Sequence, residues 1–179
     1  MDDYLCSVIK RFAYYRELGL RAMEQLEPRE LFWRYNRESN SIAIIVSHLY
    51  GNMLSRWTNF LSEDGEKAWR NRDAEFEETI RSRDELLSRW NAGWDCLLAA
   101  LESLTAEDLR KTVTIRGEKH TVVDAVNRQL SHYAYHVGQI VFIAKMIRAE
   151  QWRSLSIARG KSRDFNKKMA GKHKSGQGE

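Results

Sequence analysis

Proline is nearly missing from this chain: Pro28 is the only one in 179 residues. So few breakers leave room for long helices. Apolar residues recur at three- and four-residue intervals, so the chain reads as all-α. Cysteine is almost as scarce. Cys6 and Cys96 lie far apart in no motif spacing, so neither a disulfide framework nor a cysteine-based metal motif is present. They are expected to be small, buried or half-buried thiols in a reducing compartment. Long apolar runs are also lacking, and none approaches the roughly 20 residues that a membrane-spanning helix needs. The opening "MDDYLCSVIKRF" starts acidic, without the basic start and apolar middle of a secretory signal, so the expected location is the cytoplasm. No internal repeat is evident.

What is present is ordinary in amount, with 42% hydrophobic and 30% charged residues, enough for one domain with a real core. Charge is unevenly placed. From Arg159 onward seven Lys/Arg face two acidic residues, a net +5, whereas the whole chain carries +4. The body is therefore close to neutral at −1, and the high pI of 9.1 belongs to the tail. The expected organisation is a bundle over residues 1–158 followed by a basic, flexible tail over 159–179. A basic tail can bind nucleic acid, but a solvated end is the commoner outcome and is the expectation here.

The apolar spacing predicts a first helix from Asp2 to Leu26, ended ahead of Pro28. A connector follows in which Leu31, Phe32 and Trp33 are expected to pack onto the bundle. Asn40 or Ser41 offers an N-cap for a second helix, "IAIIVSHLYGNMLSRWTNFL". "SEDGEKAWRNRDAEF" reads as a loop turning at Asp64-Gly65, and a third helix is predicted from Glu77 to Leu104. Thr105 and Asp108 form a cap pattern. "KTVTIRGEKH" suits a small hairpin, and Thr121 with Asp124 caps a fourth helix reaching Arg148. Trp152, Leu155 and Ile157 are expected to pack back. Four long helices with at least one long crossover make a four-helix bundle.

Five histidines are present. His173 falls in the basic tail, and His120 precedes the fourth helix with no evident partner. His132 and His136, in "LSHYAYHVGQI", stand one turn apart on the same helix face. Such a pair can be surface residues, core histidines with polar partners, or two ligands of one metal ion. Val122, Ala125, Gln129, Ile140 and Ile143 share their face, which points the pair inward. His48, with Ile44 a turn before and Asn52 a turn after, lies on a buried stripe of the second helix and can close a three-histidine site. Three neutral imidazoles leave a divalent ion its full charge and an open position, an arrangement that suits catalysis more than a closed structural site.

"HLYGNML", followed much later by "HYAYHVGQI", resembles the DinB-like superfamily, the DinB/YfiT type of metalloenzyme, and more narrowly an uncharacterised bacterial subfamily of it. The resemblance extends from the first helix to about Phe165. It implies a four-helix bundle, often a homodimer, with a metal held by His48, His132 and His136. It also implies a small-molecule substrate, because superfamily members include S-transferases and isomerases that use bacillithiol, mycothiol or glutathione. Thiol-dependent S-transferase-like chemistry is the leading expectation. A metal-dependent hydrolase and a non-catalytic, metal-binding stress protein are the alternatives. Zinc or nickel suits three imidazoles, as do iron and copper.

Four further residues lie on the histidine side of their helices. Gln139 and Asn52 are candidates to orient a ligand, or else interhelical amide hydrogen bonds. Arg56 and Arg128 can grip a carboxylate at the pocket mouth, or else are solvated or salt-bridged. Of Tyr133 and Tyr135 at most one faces the site, because neighbours on a helix diverge by about 100°. No serine or cysteine nucleophile stands out, and the six tryptophans read as packing.

Overall fold

A computed structural model describes the backbone of residues 2–175 and the side chains of residues 2–170. Its helices are α1 (Asp3–Met23), α2 (Ile42–Trp57), α3 (Arg83–Glu102), α4 (Val122–Arg148) and α5 (Ser162–Ser175). Strands β1 (Thr112–Ile115) and β2 (Glu118–Thr121) form one antiparallel hairpin. The protein is an all-α bundle of α1 to α4 with that hairpin inserted before α4. Among the described residues no helix is long and apolar enough to cross a membrane.

Each long helix starts on a side-chain cap. Asp2, Ser41, Ser82 and Thr121 accept from the N–H groups of Tyr4, Ile44, Glu85 and Asp124, satisfying donors that the first turn leaves without partners. Three boundaries differ from expectation. α2 stops at Trp57 and not at Leu61, because the chain turns away at Asn59, whose φ is 50°. α1 stops at Met23, ahead of Pro28, which instead opens a short 3-10 turn capped reciprocally by Glu27 and Glu30. α3 begins at Arg83 and not near Glu77, because Ser82 is the first residue in that stretch whose side chain caps a following N–H.

The helices are ordered α1, α4, α2, α3 around the bundle. Tyr4 bonds Asn127 and Gln25 bonds Arg153, so α1 and α4 run parallel. Arg89 reaches Ser47 and Cys96 reaches Thr58, so α2 and α3 also run parallel. A chain joining parallel neighbours must return along their length, and residues 58–82 do so beside α2. Gly65 lies against Ser55 and Arg56, Glu75 against His48 and Gly51, and Thr79 against Ser47. This return segment is the long crossover.

The core is aromatic at its centre. Phe12, Trp57, Trp94 and Tyr133 meet with ring centroids 5.9 to 6.5 Å apart. Leu31 is fully buried and Phe32, Trp152 and Leu155 pack against the core. Trp33 and Ile157, expected to pack, are instead about two-fifths exposed; both lie in irregular segments at the bundle surface, where no helix presses them inward. Cys6 is also exposed and not half-buried, on the outer face of α1, while Cys96 is half-buried.

The hairpin turns at Arg116 and Gly117, both with positive φ, 57° and 76°, the pair of left-handed residues that a type I′ turn requires. Asp64 straps this turn to the return segment, accepting from the N–H groups of Arg116 and Gly117, each at 2.8 Å. Beyond the bundle, residues of the predicted basic tail form α5, whose side chains are exposed throughout 162–170. His173 and residues 176–179 lie outside the described side chains.

Candidate metal centre

α2 and α4 run antiparallel, and their facing stripes meet at the histidines. His48 comes from α2, His132 and His136 from α4, with ring centroids 4.8 to 5.2 Å apart. One ring nitrogen from each lies within 4.8 Å of the others. These three could hold a metal ion, and the partners of their outer nitrogens say which atoms would do so.

His48 Nδ1 donates to Glu75 Oε2 at 2.9 Å, and the ring stacks on Phe76. Its Nε2 then carries the lone pair and faces His132 Nε2 at 3.2 Å. Two nitrogens bound to one tetrahedral ion at about 2.0–2.1 Å would stand about 3.3–3.4 Å apart, so this pair needs little movement to share an ion. A hydrogen bond would also explain 3.2 Å. His136 separates the two readings. Its Nδ1 donates to Gln139 Oε1 at 2.8 Å, while its Nε2, buried, has no partner among the described residues. A buried acceptor without a partner is costly, and an ion at the meeting point of the three rings would satisfy it. Carboxylate and amide partners on the outer nitrogens are the support that metal-bound imidazoles commonly have.

Protonation favours the same use. Burial, with the two other imidazoles close by and the guanidinium charges of Arg56 and Arg70, pushes His132 down to about 3. Burial also takes His136 down to about 4, against the opposing Gln139 bond. Both rings are therefore neutral at physiological pH, the form in which imidazole binds metal. Burial alone would raise the Glu75 carboxyl, but bonds from His48 and Arg70 outweigh it and hold it below its usual range. Glu75 is thus an anion, as a partner for His48 and Arg70 must be.

A family model described as a protein of unknown function, DUF1572, matches residues 1–161. The chain belongs to the DUF1572 family. No curated protein and no solved structure matches it. The DUF1572 match takes in the three histidines and their partners, and it ends just before α5.

The other candidate residues fall in different places. Asn52 is buried at the cavity edge, its Oδ1 accepting from the Tyr133 hydroxyl at 2.9 Å. Gln139 touches His136 directly. Arg128 is exposed at the mouth, 3.4 Å from His120. Arg56 is not at the mouth: it is buried, bonding the Gly65 carbonyl and, at 3.1 Å, Glu66. The return segment covers it, which helical position alone could not reveal. His120 is not without a partner, since Asp124 bonds it at 2.7 Å across the start of α4. Tyr135 lines the cavity, and Tyr133 turns into the core.

Glu75 and Arg70 escaped the sequence reading. Arg70 binds both Glu75 oxygens, at 2.7 and 2.9 Å, and also Glu66. Both residues sit in a segment with no apolar period. The one available signal was the density of charged residues in "SEDGEKAWRNRDAEF", more than a plain turn needs.

Proposed function

We propose that this DUF1572 protein is a divalent-metal-dependent enzyme of the DinB-like type, with thiol-dependent S-transferase-like chemistry at the three-histidine centre. His136 Nε2 carries the reading: it is buried, unpartnered, and set beside two further imidazole nitrogens on an open cavity of about 540 Å³. His48, His132 and His136 would hold the ion through Nε2, and zinc or nickel suits three imidazoles. When bound, the ion would supply positive charge that favours the anionic form of a thiol at neutral pH.

The chain's own residues do the rest. Glu75 and Gln139 fix the tautomers and orientations of His48 and His136, so the lone pairs converge. Arg70 keeps Glu75 anionic and in place. Phe76 closes one side of the His48 ring and Tyr135 lines the outer wall, which limits water on the apolar side of the site. The cytoplasm is the proposed location, and a homodimer is the proposed assembly, supported by the family resemblance and by the exposed Tyr135, Phe142 and Met146 along α4.

Elemental analysis of the purified protein beside His48→Ala, His132→Ala and His136→Ala tests the centre. The expected result is about one ion per wild-type chain and loss in each variant. Undiminished metal in all three would remove the site. The metal-loaded protein is then assayed with bacillithiol, mycothiol and glutathione against a panel of electrophiles. Turnover no greater than that of His132→Ala for every pair would reject the transferase. Turnover of ester or amide substrates alone would favour a hydrolase, and stoichiometric metal without any turnover a binding protein.

A further inference from the structure

The cavity over the histidines is strongly cationic for reasons that the metal centre does not explain. Five arginines line it, and no acidic residue does. Two carboxylates lie behind them, and both are oversubscribed. Glu66 accepts from Arg56, Arg70 and Arg116 at 3.0 to 3.3 Å, and Glu75 serves Arg70 and His48. The excess charge gathers at the mouth. Arg72, on the return segment, stands over the Phe76 ring at 5.2 Å with no carboxylate partner among the described residues. Arg128, on α4, contacts the His120 ring and has no carboxylate partner among the described residues. Arg116, at the hairpin turn, spends Nε on Glu66, and its two terminal nitrogens have no partner among the described residues.

The floor carries a second, independent sign of a ligand. Gln129 is 4% exposed, lines the cavity, and its Oε1 has no hydrogen-bond partner among the described residues. Arg56, 5% exposed and also lining the cavity, has an Nε without a partner among the described residues. Burying such groups unpaired is costly, and a donor at Gln129 with an acceptor at Arg56 would relieve both. Three guanidinium groups from three elements around one opening, above a polar floor, are suited to an anion that enters deeply. Guanidinium recognises carboxylate and phosphate alike.

We propose that this cavity binds a small dianion through carboxylate or phosphate groups, held at the mouth by Arg72, Arg116 and Arg128, with Gln129 receiving an O–H or N–H of the ligand. This deepens the metal-centre reading and rests on it only for what the anion does there: it would bring a charged substrate within reach of the ion. Binding of the anion itself needs no metal.

The test is calorimetric titration of the full-length, metal-free protein at low ionic strength with succinate, inorganic phosphate and neutral succinamide. Both dianions are expected to bind and succinamide not to. Arg72→Gln/Arg128→Gln and, separately, Arg116→Gln should each weaken binding by at least about tenfold, since a charge-assisted bond contributes about 1.5–3 kcal/mol. Arg21→Gln, on the exposed last turn of α1, should leave it unchanged. Gln129→Met should weaken phosphate, which carries an O–H at neutral pH, and spare succinate, which carries none; the two ligand sources separate on that difference. Absence of binding by either dianion, or equal binding by the arginine variants and the wild type, overturns the proposal. A Gln129→Met variant that loses neither ligand removes the amide from it. Elemental analysis of the same preparation after reloading with metal reports on the centre independently, so the two readings can fail separately.

Discussion

Two layers of the bundle meet at Tyr133 and are held in opposite ways. On one side Phe12, Trp57 and Trp94 enclose its ring. On the other, its hydroxyl donates to Asn52, and beyond lie the buried His48, Glu75 and Arg56, with Arg70, whose side chain is also buried, and the half-buried Glu66. Burial pushes the Tyr133 phenol well above its usual range, so it remains protonated and able to donate. The aromatic layer is held by area removed from water, a force without direction that tolerates reshaping. The ionic layer is held by directional bonds between groups that would each be costly to bury alone. Equal depth therefore hides unequal tolerance: losses in the first layer scale with volume, and in the second with whether a partner remains.

Trp94→Ala breaks the first layer and carries the largest expected effect. Trp94 is fully buried, and truncating a buried Trp typically costs about 3–5 kcal/mol. Urea unfolding of the metal-free protein measures it, and a loss below about 1 kcal/mol would mean that packing does not hold this layer. Trp94 stacks on none of the three histidines, so the folded variant should still bind metal.

Glu75→Gln breaks the second layer while keeping side-chain volume. The expected loss is about 10–100-fold in metal affinity, or about 1.4–2.7 kcal/mol, read by competition with a metal indicator. Gly51→Ala should reach the same end by steric means, since a Cβ there would lie 2.3 Å from Glu75 Oε1. The double variant should be little worse than the worse single one, because both act through one contact. Two single variants that bind metal as tightly as the wild type would show that Glu75 does not orient His48.

The same contrast decides what was legible in the sequence. The aromatic layer was, because Leu5, Val8, Phe12, Trp90, Trp94 and Leu97 recur with the helical period and the period reports a buried face. So were the caps Ser41 and Thr121, and the grouping of His48 with His132 and His136. The ionic layer was not. Glu75 reaches His48 from 27 residues away, on a segment whose course follows from α2 and α3 being parallel, and no local pattern encodes that. Arg56 shows the same limit: its helix face was evident, but the backbone lying over it was not.

Asp64 stands at the edge of the ionic layer, and its removal sharpens the contrast with the smallest effect. Its carboxylate accepts from the N–H groups of Glu66, Arg116 and Gly117 at 2.6 to 2.8 Å, which holds Arg116 at the cavity. Burial pushes the carboxyl up, but these donors outweigh it and take it from 3.8 down to about 2. A folded-state value below the unfolded one stabilises fully above 3.8 and is lost as pH falls through about 2. Because Asp64 is only half-buried, solvent screening reduces the effect, and Asp64→Ala should cost about 1 kcal/mol, as for the loss of a helix cap. In urea unfolding of the metal-free proteins, the gap between wild type and variant should stay constant from neutral pH down to about 4.5 and narrow below it. A gap that widens on acidification would mean that the neutral acid, not the carboxylate, straps the hairpin to the return segment.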